Sequence, residues 1–259
     1  MSQDFLPFHS HGWNGVVADE QWASLFRHLD SWLARHPGEM VVHYDSRDVR
    51  KISTDLGTVY LKDIRALTDA GYHGRDFFSW CKWVFRGSRA RETWDASVGL
   101  LRRGFLCPKP LLAVRKRTGL IPRDIFVSLE LPLPNLWDSL PPGMTPESLA
   151  ELLAEEIHQL HQAGFAHGDC ILRNLCYDFP SHRLAFLDND RTWTPPDVVR
   201  KFQQKRNLAQ MAYSLLKRFD EKVSLNFLES YAKRGRWPSP QGIQTLLANA
   251  IRRRNSKRR

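Results

Sequence analysis

The sequence predicts an α+β molecule of two lobes, with strands and helices mixed in the first half and helices predominant in the second. The 259-residue chain is long enough to fold as two lobes that share a cleft. The proline-rich stretch from Leu131 to Gly143 separates the two patterns and has the composition of a domain boundary. We therefore expect a helical extension at 1–39, an N-terminal lobe with an antiparallel sheet and a helix at 40–131, a mainly helical C-terminal lobe at 132–250, and a basic tail at 251–259.

The elements of the first half follow from apolar periodicity and from turn residues. Asp19–Arg35 carries apolar residues at three- and four-residue spacing and is ended by Pro37-Gly38, which predicts one amphipathic helix. Glycine and proline punctuate the remainder of this half. The other predicted elements are strands at Met40–Tyr44, Thr58–Leu61, Leu106–Arg115 and Asp124–Leu131 and a helix at Ser88–Arg103 that Gly104 stops.

The elements of the second half begin with a strong helix signal. Thr145-Pro146-Glu147 supplies an N-cap residue, a proline at the first helical position and an acidic first turn, and Gly164 suits the C′ position. A short strand is predicted at Arg183–Leu187. A further helix is predicted at Asp197–Arg218, with Phe202, Met211 and Leu215 facing inward.

Composition narrows the class of protein. With 42% hydrophobic and 25% charged residues the chain has the composition of a soluble globular protein, and no apolar run approaches the roughly 20 residues that span a bilayer. The N-terminus lacks the features of a cleaved signal, and four cysteines without CxxC spacing read as reduced thiols. We therefore expect a cytoplasmic protein.

The formal charge of +10 is concentrated at the C-terminus. Arg252–Arg259 carries six of these positive charges and no negative one. We expect this segment to be a solvated, frayed tail. Attraction to an anionic membrane surface or to an anionic substrate is the alternative, and no nucleic-acid partner is expected because no groove-reading motif accompanies the charge.

The segment His167–Asn174, together with Asp188, indicates a reaction. Asn174 follows Asp169 by five residues, and Asp188 follows Asn174 by fourteen. In kinase-like phosphotransferases, the first aspartate of such a set orients or deprotonates a hydroxyl, and the asparagine and second aspartate hold Mg²⁺ on ATP. Amide and carboxylate oxygens are hard ligands of the kind Mg²⁺ prefers. The spacing therefore predicts phosphoryl transfer.

Two charged residues of the first half complete this set. Lys62 ends the predicted strand Thr58–Leu61, in the manner of the lysine that contacts ATP phosphates. Glu92 lies early in the next helix, where it would pair with that lysine.

Taken together, these residues resemble those of the protein-kinase-like superfamily and, within it, the bacterial lipopolysaccharide kinase family, whose members phosphorylate heptose or Kdo sugars. The resemblance spans roughly Val41 to Phe227. In place of DFG, the metal-binding aspartate opens the run Asp188–Arg191. The other segments that carry the resemblance are Ser88–Trp94, Leu101–Phe105, Pro108–Pro110 and His167–Cys170.

The resemblance implies a two-lobed protein-kinase-like fold and a kinase that uses ATP and Mg²⁺. Its acceptor would be a sugar hydroxyl of the lipopolysaccharide core, reached at the cytoplasmic face of the inner membrane with peripheral membrane contact. Asp169 would be catalytic, and Asn174 and Asp188 would bind the metal. Lys62, Glu92 and Glu130 would bind the nucleotide.

Some features depart from regulated protein kinases. No GxGxxG precedes Lys62, and the equivalent segment Tyr44–Arg50 offers arginines in place of glycine amides. Gly168 stands where HRD has arginine, so we expect activity that does not require phosphorylation of an activation loop. Ile171 replaces the usual lysine, and Arg173 could supply that positive charge or serve the structure. No APE motif follows Asp190, which argues against a protein substrate.

Two alternative functions stay open from sequence, and one alternative metal site is set aside. A kinase of small hydroxyl compounds, such as aminoglycosides or choline, would share the motif, although the basic charge suits a cationic acceptor poorly. A pseudokinase scaffold would keep the fold without turnover. His158, His161 and His167 could suggest zinc, but ordinary helix and loop histidines are the simpler interpretation.

Overall fold

The computed structural model describes residues 5–44, 46–65, 67–68, 71–72, 87–119, 121–194, 196–235 and 237–256. The chain divides into two compact units. Unit 1 comprises Met1–Leu101 and Pro108–Leu131, and unit 2 comprises Arg102–Cys107 and Pro132–Arg259. Unit 1 thus ends at the residue where the sequence places the lobe boundary.

Within its described residues, unit 1 consists of a seven-stranded antiparallel sheet, three helices and a separate two-stranded ribbon of β6 and β7. The strands are β1 (Leu6–Ser10), β2 (Trp13–Val17), β3 (Glu39–Tyr44), β4 (Arg47–Thr54), β5 (Gly57–Arg65), β6 (Leu67–Thr68), β7 (Gly71–Tyr72), β8 (Pro110–Thr118) and β9 (Ile121–Leu129). The helices are α1 (Glu20–Leu25), α2 (Leu29–Arg35) and α3 (Arg89–Arg102). The strand order in the sheet is β1-β2-β8-β9-β5-β4-β3.

Helices cover both faces of this sheet. On one face, apolar residues of β5 and β8 such as Leu61 and Leu112 pack in one cluster with aromatic residues of α1 and α2. On the other face, Trp94 of α3 packs in a cluster with Phe126 of β9. Lys62 is the cross-strand partner of Phe126, so it lies on the α3 face of the sheet.

The first 39 residues differ from the predicted helical extension. They contribute β1 and β2 to the sheet, and the single helix predicted at Asp19–Arg35 is two helices. The chain leaves helical geometry at Phe26, whose ring stacks with Trp22 and meets Trp32 edge-on. The apolar periodicity runs through this break because both helices pack into the same core, so the pattern could not reveal it.

Unit 2 is mainly helical. Thr145 caps the first helix, where its side chain accepts from the Ser148 N–H in a capping box, and Gly164 adopts the positive φ of 88° that a C′ residue needs. The elements are α4 (Pro146–Gln162), β10 (Leu175–Asp178), β11 (Arg183–Phe186), α5 (Asp197–Arg218), α6 (Glu221–Gly235) and α7 (Pro240–Ser256), with 3-10 turns at Leu172–Asn174 and Asn189–Arg191. Strands β10 and β11 form an antiparallel hairpin.

Two predictions about this unit are wrong. Phe202 of α5 is 66% exposed rather than inward, whereas Met211 and Leu215 are buried. The predicted frayed tail is helical as far as Ser256, where α7 ends. Arg253 in this segment packs over the Tyr213 ring, with its guanidinium 4.7 Å from the ring centre. Arginine is a good helix former, and cations near a helix C-terminus are favoured by the helix dipole.

Across the helices of the described residues, none combines the length and apolarity that crossing a membrane requires.

Candidate active site

Asp169 and Asn174 are brought together by the backbone of the His167–Asn174 loop in unit 2. The Asn174 side-chain amide donates to the Asp169 carbonyl at 2.9 Å and lies 3.5 Å from its carboxylate Oδ2. Loop closure is reinforced by Asn174 N–H, which donates to the Ile171 carbonyl at 3.0 Å. The five-residue spacing therefore places the predicted catalytic carboxylate beside the predicted metal ligand.

His167 links this loop to the strand that precedes Asp188. The ring is buried; its Nδ1 accepts from the Asp169 N–H at 3.1 Å, so Nε2 is the nitrogen that donates to the Leu187 carbonyl, at 2.9 Å. Both bonds suit a neutral imidazole, and burial lowers the pKa of His167, with the Leu187 carbonyl and nearby carboxylates acting in the opposite direction. The neutral His167 ring thus holds the segment of Asp169 and the segment of Leu187 next to each other.

Asp188 joins the same cluster through the backbone. Leu187 N–H donates to the Asn174 carbonyl at 2.8 Å, which fixes the residue before Asp188 against the loop. Asp188 has a left-handed backbone (φ 52°, ψ 59°), a conformation unusual for a residue other than glycine and concentrated at functional sites. Unit 2 therefore gathers all three of its predicted site residues.

Gly168 is a glycine because the chain passes too close for any side chain. A Cβ at this position would lie 2.2 Å from the Arg191 Cβ and 2.7 Å from its Cα. The segment after Asp188 thus fills the space into which an HRD arginine would point. The departure noted in the sequence is steric in origin.

Helix α5 supports the loop through a polar stripe that the sequence reading missed. Asn207, which is fully buried, donates to the His167 carbonyl at 2.7 Å and accepts from its N–H at 2.9 Å. Gln210 donates to Asp169 Oδ1 at 2.9 Å and accepts from the Cys170 N–H at 3.3 Å. The available signal was three polar residues at helical spacing, Asn207, Gln210 and Ser214, placed among the apolar residues of an amphipathic helix.

The histidines of α4 serve packing rather than a zinc site. His161 Nε2 donates to the Asn207 side-chain Oδ1 at 3.1 Å, and Nδ1 accepts from the Tyr231 hydroxyl at 2.7 Å, so both ring nitrogens are engaged. Burial lowers the pKa of His161 to about 4. His158 meets the Tyr231 ring edge-on. Over the described part of the chain, no three His, Cys, Asp or Glu side chains are grouped as metal ligands.

Asn174 and Asp188 fit a magnesium ion by their chemistry. Because the Asn174 amide nitrogen is directed to Asp169, its oxygen is the atom left to face a cation. The Asp188 carboxylate supplies a second hard oxygen. One amide and one carboxylate, completed by phosphate and water oxygens, is the ligand set that Mg²⁺ commonly takes.

The three nucleotide-binding residues predicted in unit 1 lie on strand β5, on helix α3 and directly after strand β9. Lys62 is half-buried on the α3 face of β5, and Glu92 is an exposed residue in the first turn of α3. Glu130 follows β9; its carboxylate lies 2.7 Å from Lys51 Nζ, and its N–H donates to the Thr58 carbonyl at 2.8 Å. The roles of all three toward a nucleotide stay predictions.

The segment Tyr44–Arg50 is a strand hairpin rather than an open loop. Tyr44 ends β3, and Arg47 already begins β4. The Arg47 guanidinium lies 5.5 Å from the Tyr44 ring centre, and Arg50 lies 3.6 Å from the buried carboxylate of Asp48. At least Arg50 is thus held by the protein itself.

Comparisons with known proteins identify the fold and the family. A WaaP structure, solved in complex with acyl carrier protein, matches with a TM-score of 0.61 and 20% identity over 91% of this chain and 94% of that chain. The Rio2 kinase of Chaetomium thermophilum, solved as an ADP/Mg²⁺-phosphoaspartate complex, matches with a TM-score of 0.53 and 14% identity over 98% of this chain and 82% of that one. A search of curated protein sequences found no match.

The two structural matches establish a protein-kinase-like fold, as the sequence predicts. The family itself is given by a sequence model named "Lipopolysaccharide kinase (Kdo/WaaP) family", which matches residues 75–231. This range covers more than half of the chain and includes every site residue of unit 2 described above. The chain therefore belongs to the lipopolysaccharide kinase (Kdo/WaaP) family, and with it to the kinases.

Proposed function

We propose that this protein transfers the γ-phosphoryl group of ATP, in a Mg²⁺-dependent reaction, to a sugar hydroxyl (heptose or Kdo) of the lipopolysaccharide inner core. The observation that carries the proposal is the hydrogen-bonded cluster of Asp169, Asn174 and the Leu187–Asp188 segment around His167. Such a cluster, in a member of a lipopolysaccharide kinase family, supports phosphoryl transfer to a core sugar.

In the proposed mechanism Asp169 orients the acceptor. Its Oδ1 is fixed by Gln210, which leaves Oδ2 to accept the proton of the sugar hydroxyl. The hydroxyl oxygen forms a bond to the γ-phosphorus as the bond from phosphorus to the β-phosphate oxygen breaks, ADP leaves, and the proton passes to the Asp169 carboxylate. Catalysis of this kind comes from positioning and charge stabilisation.

The remaining residues act on the phosphates. Asn174 and Asp188 would hold the magnesium ion, which when bound neutralises charge on the phosphate oxygens. We assign Lys62 to the phosphates and Glu92 to the orientation of Lys62, and Glu130 to the nucleotide. Because ATP and the growing core meet at the cytoplasmic face of the inner membrane, we propose that the protein works there with peripheral contact.

The test compares Asp169→Ala with the wild-type protein. The purified enzymes are incubated with ATP, Mg²⁺ and core oligosaccharide, and phosphate addition is followed by mass spectrometry. We expect Asp169→Ala to lose roughly 10³-fold or more in turnover, since proton transfer and orientation are both removed. Asp95→Asn is the control, because among the described residues Asp95 makes an exposed ion pair with Arg91 on α3.

Acceptor choice is tested in the same assay. Aminoglycosides and choline are offered in parallel with the core oligosaccharide. Phosphorylation of one of these small compounds alone would contradict the proposed acceptor while leaving the kinase chemistry intact. Near-normal turnover by Asp169→Ala would contradict the mechanism itself, and wild-type protein that neither transfers phosphate nor binds Mg·ATP would point to a pseudokinase scaffold.

A further inference from the structure

Two cations of unit 2 share one indole ring beside the catalytic loop. The Arg173 guanidinium lies 4.9 Å from the centre of the Trp137 ring, and Lys217 Nζ lies 5.6 Å from the same centre. The separation of the two charges therefore cannot exceed the sum of these distances, which is comparable to the Debye length of about 8–10 Å in physiological salt. We call Trp137, Arg173 and Lys217 the cation–tryptophan cluster.

The protein fixes all three members of this cluster relative to the site. Arg173 belongs to the 3-10 turn Leu172–Asn174 and directly precedes Asn174. The turn that carries Trp137 is tied to the strand after Asn174, because Leu136 N–H donates to the Leu175 carbonyl at 2.8 Å. Lys217 is in the last turn of α5, the helix whose Gln210 holds Asp169. The cluster is thus mounted on the same elements as the catalytic groups.

The charge of the cluster is not balanced by its neighbours among the described residues. The nearby carboxylate is Asp138, which lies 3.9 Å from Arg173 and also accepts from the Asn135 amide at 2.7 Å. Arg173 and Asp138 have 58% and 61% of their side chains exposed, and ion pairs of this kind contribute little. Two positive charges beside one weakly held carboxylate leave a net positive charge next to Asn174.

We propose that the cation–tryptophan cluster is an acceptor subsite that binds an anionic group, a phosphate or a carboxylate, on the sugar that is phosphorylated. The planar guanidinium of Arg173 can contact two oxygens of such a group at once, and Lys217 adds a point charge. Trp137 holds the two cations in place through its ring face. The identity of the acceptor rests on the proposed function, whereas the anion site itself rests on the geometry.

The dependence on the acceptor distinguishes this role of Arg173 from contact with ATP. A cation that serves the transferred phosphate affects every acceptor equally, because that phosphate is common to all reactions. A cation that serves the acceptor affects only acceptors that carry the anionic group. The cluster therefore predicts discrimination between acceptors, which a purely structural role for Arg173 would not produce.

The test measures binding directly, by calorimetric titration of core oligosaccharide into the full-length protein. Three preparations are compared: untreated, phosphatase-treated and carboxyl-reduced. We expect Arg173→Gln and Lys217→Gln each to weaken binding of the untreated acceptor by about tenfold, the effect of one charge-assisted hydrogen bond. If the variants and the wild-type protein bind one treated preparation equally, the group removed by that treatment, phosphate or carboxylate, is the one that the cluster binds. Arg173→Lys should bind the untreated acceptor more tightly than Arg173→Gln does.

Controls separate this inference from the proposed function. Arg35→Gln removes an exposed guanidinium of α2 that donates to the Ser31 carbonyl and should leave binding unchanged, and thermal unfolding verifies that each variant is folded. Tight binding by a wild-type protein that transfers no phosphate would contradict the proposed function and keep the subsite. Variants that bind all three preparations like wild type, or that weaken all three equally, would overturn the subsite, as would an effect on kcat alone.

Discussion

Adding one methyl group at Gly168 should disable the enzyme, because this glycine lies against the segment that follows Asp188. The new Cβ would lie 2.2 Å from the Arg191 Cβ and 2.7 Å from the Arg191 backbone carbonyl carbon, whereas carbon atoms in contact are separated by about 3.5–4.0 Å. The loop and the Arg191 segment would therefore have to move apart by more than about 1 Å. Asp169 is the next residue along the chain, so the displacement falls on the proposed catalytic carboxylate.

The expected magnitude follows from that displacement. A misplacement of about 1 Å costs about a hundredfold in rate, so we expect Gly168→Ala to lower kcat by about that factor. Overpacking of a tight contact costs about 1–3 kcal/mol of folding stability. For a chain of this size, each kcal/mol lowers Tm by about 2–4 °C. The assay is steady-state phosphoryl transfer to core oligosaccharide, accompanied by thermal unfolding.

Gly87→Ala is the matched control for this prediction. It makes the same change at a glycine whose added Cβ would lie 3.8 Å from Glu92 Oε1, its nearest neighbour among the described residues and an ordinary contact. We expect that variant to keep its activity and its Tm. If Gly168→Ala also kept wild-type kcat and Tm, the reasoning from the close approach of Arg191 would be refuted.

Three further predictions concern the supporting residues. Gln210→Leu should lower kcat by about tenfold without changing the KM for ATP, because it removes the hydrogen bond that orients Asp169. Gln210→Glu should move the acid limb of the pH–rate profile to higher pH, because it places a second carboxylate beside Asp169. Steady-state kinetics tests both variants. His161 folds as a neutral ring with a pKa of about 4 against 6.5 when unfolded, so its contribution to stability is full above pH 6.5 and is lost as pH falls toward 4. Denaturant unfolding at several pH values should show that the wild-type protein loses on the order of 3 kcal/mol of unfolding free energy over this range, and that His161→Gln loses less. The same pH dependence of unfolding in the wild-type protein and in His161→Gln would contradict this prediction. Lys62→Met should abolish the thermal stabilisation by Mg·ATP, and an unchanged shift would remove Lys62 from the nucleotide site.

The parts of the fold that the sequence predicted well are those with local causes. Helix α4 begins at the Thr145 cap and ends before Gly164, because capping and positive φ are properties of a few neighbouring residues. The motif residues Asp169, Asn174 and Asp188 could be found for the same reason, since their spacing along the chain is set by one loop and one hairpin.

The parts that could not be predicted depend on contacts between distant segments. Asn207 and Gln210 hold a loop about forty residues earlier in the chain, and nothing in their own neighbourhood points to it. Gly168 was recognised as a departure, but its cause, the Arg191 backbone, is visible only in three dimensions. Arg47–Arg50 looked like a loop because its charged residues mask a strand, and the buried Asp48 of that strand has hydrogen-bond partners on both neighbouring strands, His43 of β3 and Arg65 of β5.

The incorporation of the first 39 residues into unit 1 limits how this enzyme can be shortened. Strand β8 is paired through Leu112–Arg115 with β2, so a chain that began at residue 40 would present β8 as an unpaired sheet edge. The same cut would uncover the apolar face that α1 and α2 shield. An open edge beside an exposed apolar surface is a template for aggregation. The minimal catalytic body of this kinase is therefore larger than its motifs suggest, and excision at the start of the resemblance would be expected to yield insoluble protein.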